Sequence, residues 1–192
     1  MSINSDPDTP RRIAVIGTSG SGKTTFARQV AETIAAPHVE LDGLFHQPGW
    51  VPAEPAAFRG EVSRAIATPA WVTDGNYTGF LRDLIWLAAD TLVWLDYPFR
   101  VVLWRLFRRT MSRGLRRTEL WNGNRESLRT HFLTRDSLFL WAKNTHWKHR
   151  RQWPAVFRQP EMAHVRIVRL RSPREAEALL RRLGASWAEA AE

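Results

Sequence analysis

Apolar positions along the chain alternate between short unbroken runs and longer stretches spaced three to four residues apart. Arg12-Ile13-Ala14-Val15-Ile16 is a run rich in β-branched residues that stops at Gly17, the pattern of a buried strand entering a turn. From Thr24 to Ala35 the apolar residues Phe26, Ala27, Val30, Ala31 and Ile34 recur at helical spacing. His38-Val39-Glu40-Leu41 reads as a second strand ending at Asp42-Gly43, and residues 54–68 as a helix with Phe58, Val62, Ala65 and Ile66 on one face. Trp71-Val72-Thr73 is a third strand ending at Asp74-Gly75. A helix over about 79–87 then leads to Thr91-Leu92-Val93-Trp94-Leu95, which ends at Asp96 before Pro98. Residues 98–159 are arginine-rich and helical in pattern, broken near Trp121-Asn122-Gly123-Asn124. Val165-Arg166-Ile167-Val168-Arg169-Leu170 reads as a fifth strand, and Ser172 with Glu175 makes a capping box for a last helix.

Short apolar strands separated by helices predict a parallel sheet covered on both faces. The expected fold is therefore α/β, a doubly wound five-stranded parallel sheet. One domain is expected over 12–184, with a helical, arginine-rich lid at about 100–159. Residues 1–11 are expected to be a flexible tail, since the opening is polar and has no apolar centre of a secretory signal. Residues 185–192 are expected to be a C-terminal tail.

Composition sharpens this picture in two ways. No run approaches the ~20 apolar residues of a membrane helix, and cysteine is absent, so neither a membrane nor disulfides are expected and a cytoplasmic location is. The formal charge of +9 is carried almost wholly by arginine, because Lys23, Lys143 and Lys148 are the only lysines. Arginine's planar fork grips phosphate oxygens in pairs, so nucleotide phosphates or a nucleic-acid backbone are the anionic partners to consider.

The decisive motif is Gly17-Thr18-Ser19-Gly20-Ser21-Gly22-Lys23-Thr24, followed by Thr25. Its glycines let backbone N–H groups turn inward around a phosphate, and the helix beginning near Lys23 adds the positive end of its dipole. Lys23 can reach the β- and γ-phosphates of ATP, while the Thr24 hydroxyl can bind the Mg2+ that bridges them. Chance would produce this pattern in roughly one chain of this length in a hundred or fewer, and here it also follows an apolar strand and opens an amphipathic helix. Asp42, Asp74 and Asp96 each follow a predicted strand, which puts all three on the side where parallel sheets bind ligands.

Together with Asp74-Gly75-Asn76-Tyr77 and Arg105-Leu106-Phe107-Arg108-Arg109, this loop resembles the adenylate-kinase-like P-loop kinases. Leu41-Asp42, Pro48-Gly49-Trp50 and Asp74 to Tyr77 are similar, more narrowly, to the bacterial group named DNA topology modulation proteins. The resemblance implies that Asp74 helps to hold magnesium and that Asp42 orients or deprotonates the acceptor. It also implies that Arg105 and Arg109 close over ATP, and that the loop around Arg171 lies near the adenine ring. Adenylate kinases follow the third-strand Asp-Gly with proline and arginine, whereas this chain has Asn76 and Tyr77. Those two residues are candidates for recognising the acceptor, expected to be a nucleotide, a nucleoside or another hydroxylated metabolite.

Residues 141–153 interleave Trp141, Trp147 and Trp153 with Lys143, Lys148, Arg150 and Arg151, a pattern that can stack bases while neutralising phosphates. The same spacing suits a helix that buries its tryptophans and exposes its basic face, and that reading is preferred here. His146 and His149 have no acidic or cysteine companions, so no metal is assigned to them. Two functional readings result: a kinase that transfers the γ-phosphoryl group of ATP to a small acceptor, and a nucleotide-dependent nucleic-acid binder that uses the loop as a switch.

Overall fold

The computed structural model describes residues 10–116, 121–124 and 138–189. In chain order the elements are β1 (Arg12–Gly17), α1 (Lys23–Thr33), β2 (His38–Glu40), α2 (Leu41–Phe45), β3 (His46–Gln47), β4 (Val51–Pro52) and α3 (Pro55–Ala65). Next come β5 (Trp71–Asp74), α4 (Thr78–Leu81), β6 (Thr91–Leu95), α5 (Phe99–Arg116), α6 (Leu138–Val156), β7 (Arg166–Leu170) and α7 (Pro173–Glu189). Five strands pair in parallel in the order β2-β5-β1-β6-β7. The chain lays β2 and β5 on one side of β1, then crosses to the other for β6 and β7. That reversal opens a crevice at the C-terminal end of β1.

The central strands are apolar at nearly every position because both faces of the sheet are covered, and residue parity decides which face each side chain enters. Ile13, Val15, Val72, Val93 and Leu95 pack with Phe26, Ala27 and Val30 of α1, Val102 of α5, and Ala176 and Leu179 of α7. Ala14, Ile16, Trp71, Leu92 and Trp94 pack on the opposite side with Phe58 and Val62 of α3, Ile85, Trp86, and Trp153 of α6. Trp153 meets Trp94 edge-on at a centroid distance of 5.3 Å and Trp86 at 5.8 Å.

The elements depart from sequence expectation at four places. The second strand stops at Glu40, and Leu41-Asp42 opens the short α2 instead. Pro48-Gly49-Trp50 forms the turn of a hairpin whose strands, β3 and β4, are two residues each. The helix expected over 79–87 divides into α4 and a π-turn at Arg82–Trp86. Finally α7 continues to Glu189, so residues 185–189 of the expected tail are helical. Residues 1–9 of the N-terminal tail, 117–120 and 125–137 of the lid, and 190–192 lie outside the described residues.

Candidate active site

The loop after β1 is shaped by what surrounds it. Gly20 has φ +85°, and a Cβ there would meet Leu106 Cβ and the Val102 carbonyl of α5 at 2.9 Å, so only glycine allows α5 to lie this close. Gly22, the residue before α1, is also left-handed at φ +92°, and no side chain caps the helix. The first amides of α1 are thus left for a ligand at the positive end of the helix. Ser21 N–H donates to the Thr18 carbonyl at 3.0 Å, closing the turn. At the start of the loop Asn76 clasps Gly17, accepting from its N–H at 3.1 Å and donating to its carbonyl at 2.7 Å.

The Lys23 ammonium donates to the Thr18 carbonyl at 3.5 Å. Burial lowers its pKa, the carboxylates of Asp42 and Asp74 oppose that, and Arg109 lowers it further. Asp74, at the end of β5, is 3% exposed. Burial pushes its carboxyl up to about 6, against the pull of the Thr24 hydroxyl and of Lys23. Its Oδ2 has no hydrogen-bond partner. His38 Nε2 is 3.9 Å from that oxygen, but burial lowers the His38 pKa and leaves the ring neutral, so the contact is not an ion pair. A buried, unsatisfied carboxylate oxygen beside a threonine hydroxyl matches the hard oxygen donors that Mg2+ takes, so Thr24 and Asp74 are the residues that would hold it.

Asp42 lies across the cleft in α2, and its Oδ1 accepts from the Tyr77 hydroxyl at 2.7 Å. Burial and then the charge of Asp42 raise the Tyr77 pKa, which keeps the phenol a donor. The Tyr77 ring packs against Phe45 and Phe58 at 4.8 and 5.1 Å. From α5, Arg105 donates to the Ser21 carbonyl at 2.9 Å and its guanidinium lies 5.3 Å over the Tyr97 ring. Arg109, one turn further, lines the same cleft.

That cleft has a volume of about 520 Å³ and gathers Ser19, Gly20, Gly22, Lys23, Thr24 and Thr25 of the loop with Asp42, Arg105 and Arg109. Several expected site residues are not among those lining the cleft. Thr18 and Ser21, within the loop, are buried at 4% and 0% exposure. The Asn76 amide bonds to Gly17 through both of its polar ends, a place that positions the start of the loop. Arg171 is exposed, with its N–H bonded to Glu175 Oε2 at 2.8 Å. The far wall of the cleft is built instead by Pro173, Ala176, Glu177 and Leu180 of α7, together with Tyr97. The capping box at Ser172 was the only sequence signal that α7 begins here.

Asp96 does not join the site, contrary to its strand-end position. It is 3% exposed and ion-paired to Arg150 of α6 at 2.6 Å and Arg169 of β7 at 2.5 Å. The face of α6 is also not the expected one. Trp153 is buried at 4%, but Trp141 and Trp147 are 48% and 44% exposed, while Ala142 and His146 are buried in their place. The reason is that α6 leans on the glycine loop: His146 Nδ1 is 3.2 Å from Thr18 Oγ1. His149 stacks on Trp153 at 3.9 Å, and burial, with Lys23 next, holds its pKa down to about 4.

No protein-family model matches the chain, and no curated protein matches it in sequence. Solved structures match its fold. The shikimate kinase of Acinetobacter baumannii in complex with shikimate superposes with a TM-score of 0.55 at 16% identity, covering 92% of each chain. A gluconokinase from Sinorhizobium meliloti 1021 gives 0.50 at 18% identity, over 94% of this chain and 93% of that one. The shikimate kinase of Bacteroides thetaiotaomicron gives 0.51 at 14% identity, over 92% and 98%. At these identities the likeness establishes the fold alone, an α/β architecture built on a five-stranded parallel sheet. No described helix is long and apolar enough to cross a membrane.

Proposed function

We propose that the chain is an ATP- and Mg2+-dependent phosphotransferase that moves the γ-phosphoryl group of ATP to a small hydroxylated acceptor. The observation that carries this reading is convergence: Lys23, Arg105 and Arg109 line one cleft together with the open amides of α1, and Asp42 stands in the same cleft. Phosphoryl transfer spreads negative charge over the transferring oxygens, so preorganised cations and amides supply most of the catalysis. Lys23 would exchange the Thr18 carbonyl for a phosphate oxygen. Mg2+, held by Thr24 and Asp74, would neutralise the β- and γ-phosphates. Asp42, oriented by Tyr77, has its second carboxylate oxygen available to accept the proton of an acceptor hydroxyl.

Nucleosides and nucleotides are the acceptors suggested by the adenylate-kinase resemblance. The neighbours named as kinases of shikimate and gluconate bring hydroxylated acids into the same set. The similarity of Leu41-Asp42, Pro48-Gly49-Trp50 and Asp74 to Tyr77 to the DNA topology modulation proteins supports a narrower reading within that group. The test is incubation with labelled ATP, Mg2+ and a panel of nucleosides, nucleotides and hydroxylated acids. A labelled product that requires Lys23 supports the reading; no ATP association by calorimetry and no acceptor-dependent ADP release would overturn it.

One observation favours a second reading, a nucleotide-dependent nucleic-acid binder. Trp141 and Trp147 stand exposed on α6 beside the exposed Lys143, Lys148 and Arg151. Polynucleotide binding that falls steeply with salt, without acceptor-dependent ADP release, would select it.

A further inference from the structure

Helix α6 is fixed to the sheet next to the phosphate loop. Arg150 donates from Nε to Asp96 Oδ1 at 2.6 Å and from Nη2 to the carbonyls of Asp96 and Tyr97 at 3.3 and 3.4 Å. One turn earlier, His146 is 2% exposed and meets Thr18 Oγ1, a contact between residues 128 apart in sequence. Nothing in phosphate binding by backbone amides requires that contact, since the Thr18 side chain is buried. Yet Thr18 is central to the loop: its carbonyl accepts both the Ser21 N–H and the Lys23 ammonium.

Glycine-rich backbone has little stiffness of its own, so converging amides need external supports. Three are visible. Asn76 holds Gly17, Arg105 holds Ser21, and His146 holds Thr18, the residue that follows Gly17. The Nε2 of His146 has no partner, so the whole polar function of the ring rests on the Thr18 bond.

We infer that His146 is a positioning residue for the phosphate loop: by holding Thr18 it orients the carbonyl against which Lys23 and Ser21 are set, and so couples α6 to phosphoryl transfer. The inference rests on the phosphotransferase reading. It requires a neutral ring, which burial favours by lowering the His146 pKa. Either neutral tautomer serves, because the threonine hydroxyl donates or accepts.

The chemistry offers a selective rescue. An asparagine amide can occupy the place of an imidazole Nδ1, whereas a glutamine amide reaches the place of Nε2. His146→Ala and His146→Gln should raise the ATP dissociation constant and KM by about 3- to 10-fold, the range of one lost neutral hydrogen bond, while His146→Asn stays within about twofold of wild type. Thr18→Val should match His146→Ala, and the double variant should be no worse than either alone, because both remove the same bond. Equal behaviour of the Asn and Gln variants, or single effects that multiply in the double variant, would overturn the inference and leave His146 as packing. If His146→Ala does not fold, Thr18→Ser against Thr18→Val makes the same comparison, the serine keeping the hydroxyl. Wild-type protein that binds no ATP would overturn this inference and the phosphotransferase reading together. Wild type that binds ATP, with His146 variants indistinguishable from it, would sink the inference alone.

Discussion

Removing the charge of Asp74 should stabilise the protein that holds no metal. The carboxyl lies at 3% exposure, with one oxygen unsatisfied, and its pKa is raised from 3.8 to about 6, first of all by burial. At about 1.4 kcal/mol per pH unit, ionised Asp74 costs the fold about 3 kcal/mol near neutral pH. The folded pKa lies above the unfolded one, so the stability linked to this group is complete below about 3.8 and is lost as pH rises through about 6. Asp74→Asn is a nearly isosteric neutral substitute that escapes that loss. In the presence of a chelator, urea unfolding should therefore find the variant more stable than wild type by about 3 kcal/mol at pH 8, shrinking to about 1 kcal/mol near pH 4.5. With a urea slope of about 2 kcal/mol per M, the pH 8 difference corresponds to a midpoint shift of about 1.5 M. The order should reverse in function: saturating Mg2+ and ATP should raise the midpoint of wild type by mass action and that of Asp74→Asn much less. A difference that does not vary with pH, or a variant less stable than wild type at pH 8, would refute the argument that burial dominates the energetics of this carboxylate.

Three further substitutions separate chemistry from scaffold. Lys23→Ala should reduce turnover by at least about 10³-fold without lowering the melting temperature, because the ammonium is itself held at a desolvation cost; steady-state kinetics beside thermal unfolding checks both. Arg105→Lys should lower kcat by about 10²-fold or more, since an ammonium cannot hold the Ser21 carbonyl and a phosphate with one planar fork; near-normal kcat would move that role to Arg109. Asp96→Ala should destabilise the fold by about 2–4 kcal/mol in urea unfolding. That lies toward the lower end for breaking a buried pair, because the side chains of Arg150 and Arg169, 28% and 38% exposed, can reach solvent.

The glycine loop was legible because its chemistry is local: an apolar strand, glycines at the turning points and a helix start occupy consecutive positions. Asp74 and Asp96 show where that legibility stops. Each follows an apolar strand, but Asp96 is claimed by arginines 54 and 73 residues away, and no local pattern announces them. The tryptophans of α6 failed for a related reason. Hydrophobic periodicity assumes that the buried face is apolar, whereas α6 turns His146 toward a polar loop and leaves Trp141 and Trp147 outside. Strands β3 and β4 are too short for any alternation to register. Tyr77 and Asn76 were recognisable as functional candidates, but only three-dimensional contact assigns one to Asp42 and the other to Gly17.

The clasp between Asn76 and Gly17 has a consequence for anyone wishing to redesign this protein. If the phosphotransferase reading holds, transplanting a foreign segment around Tyr77 to change which molecule receives the phosphoryl group would also exchange the bracket on which the glycine loop is hung. Position 76 must therefore travel with the recipient and not with the donor, or the graft will unsettle the glycine loop before its new selectivity can be measured.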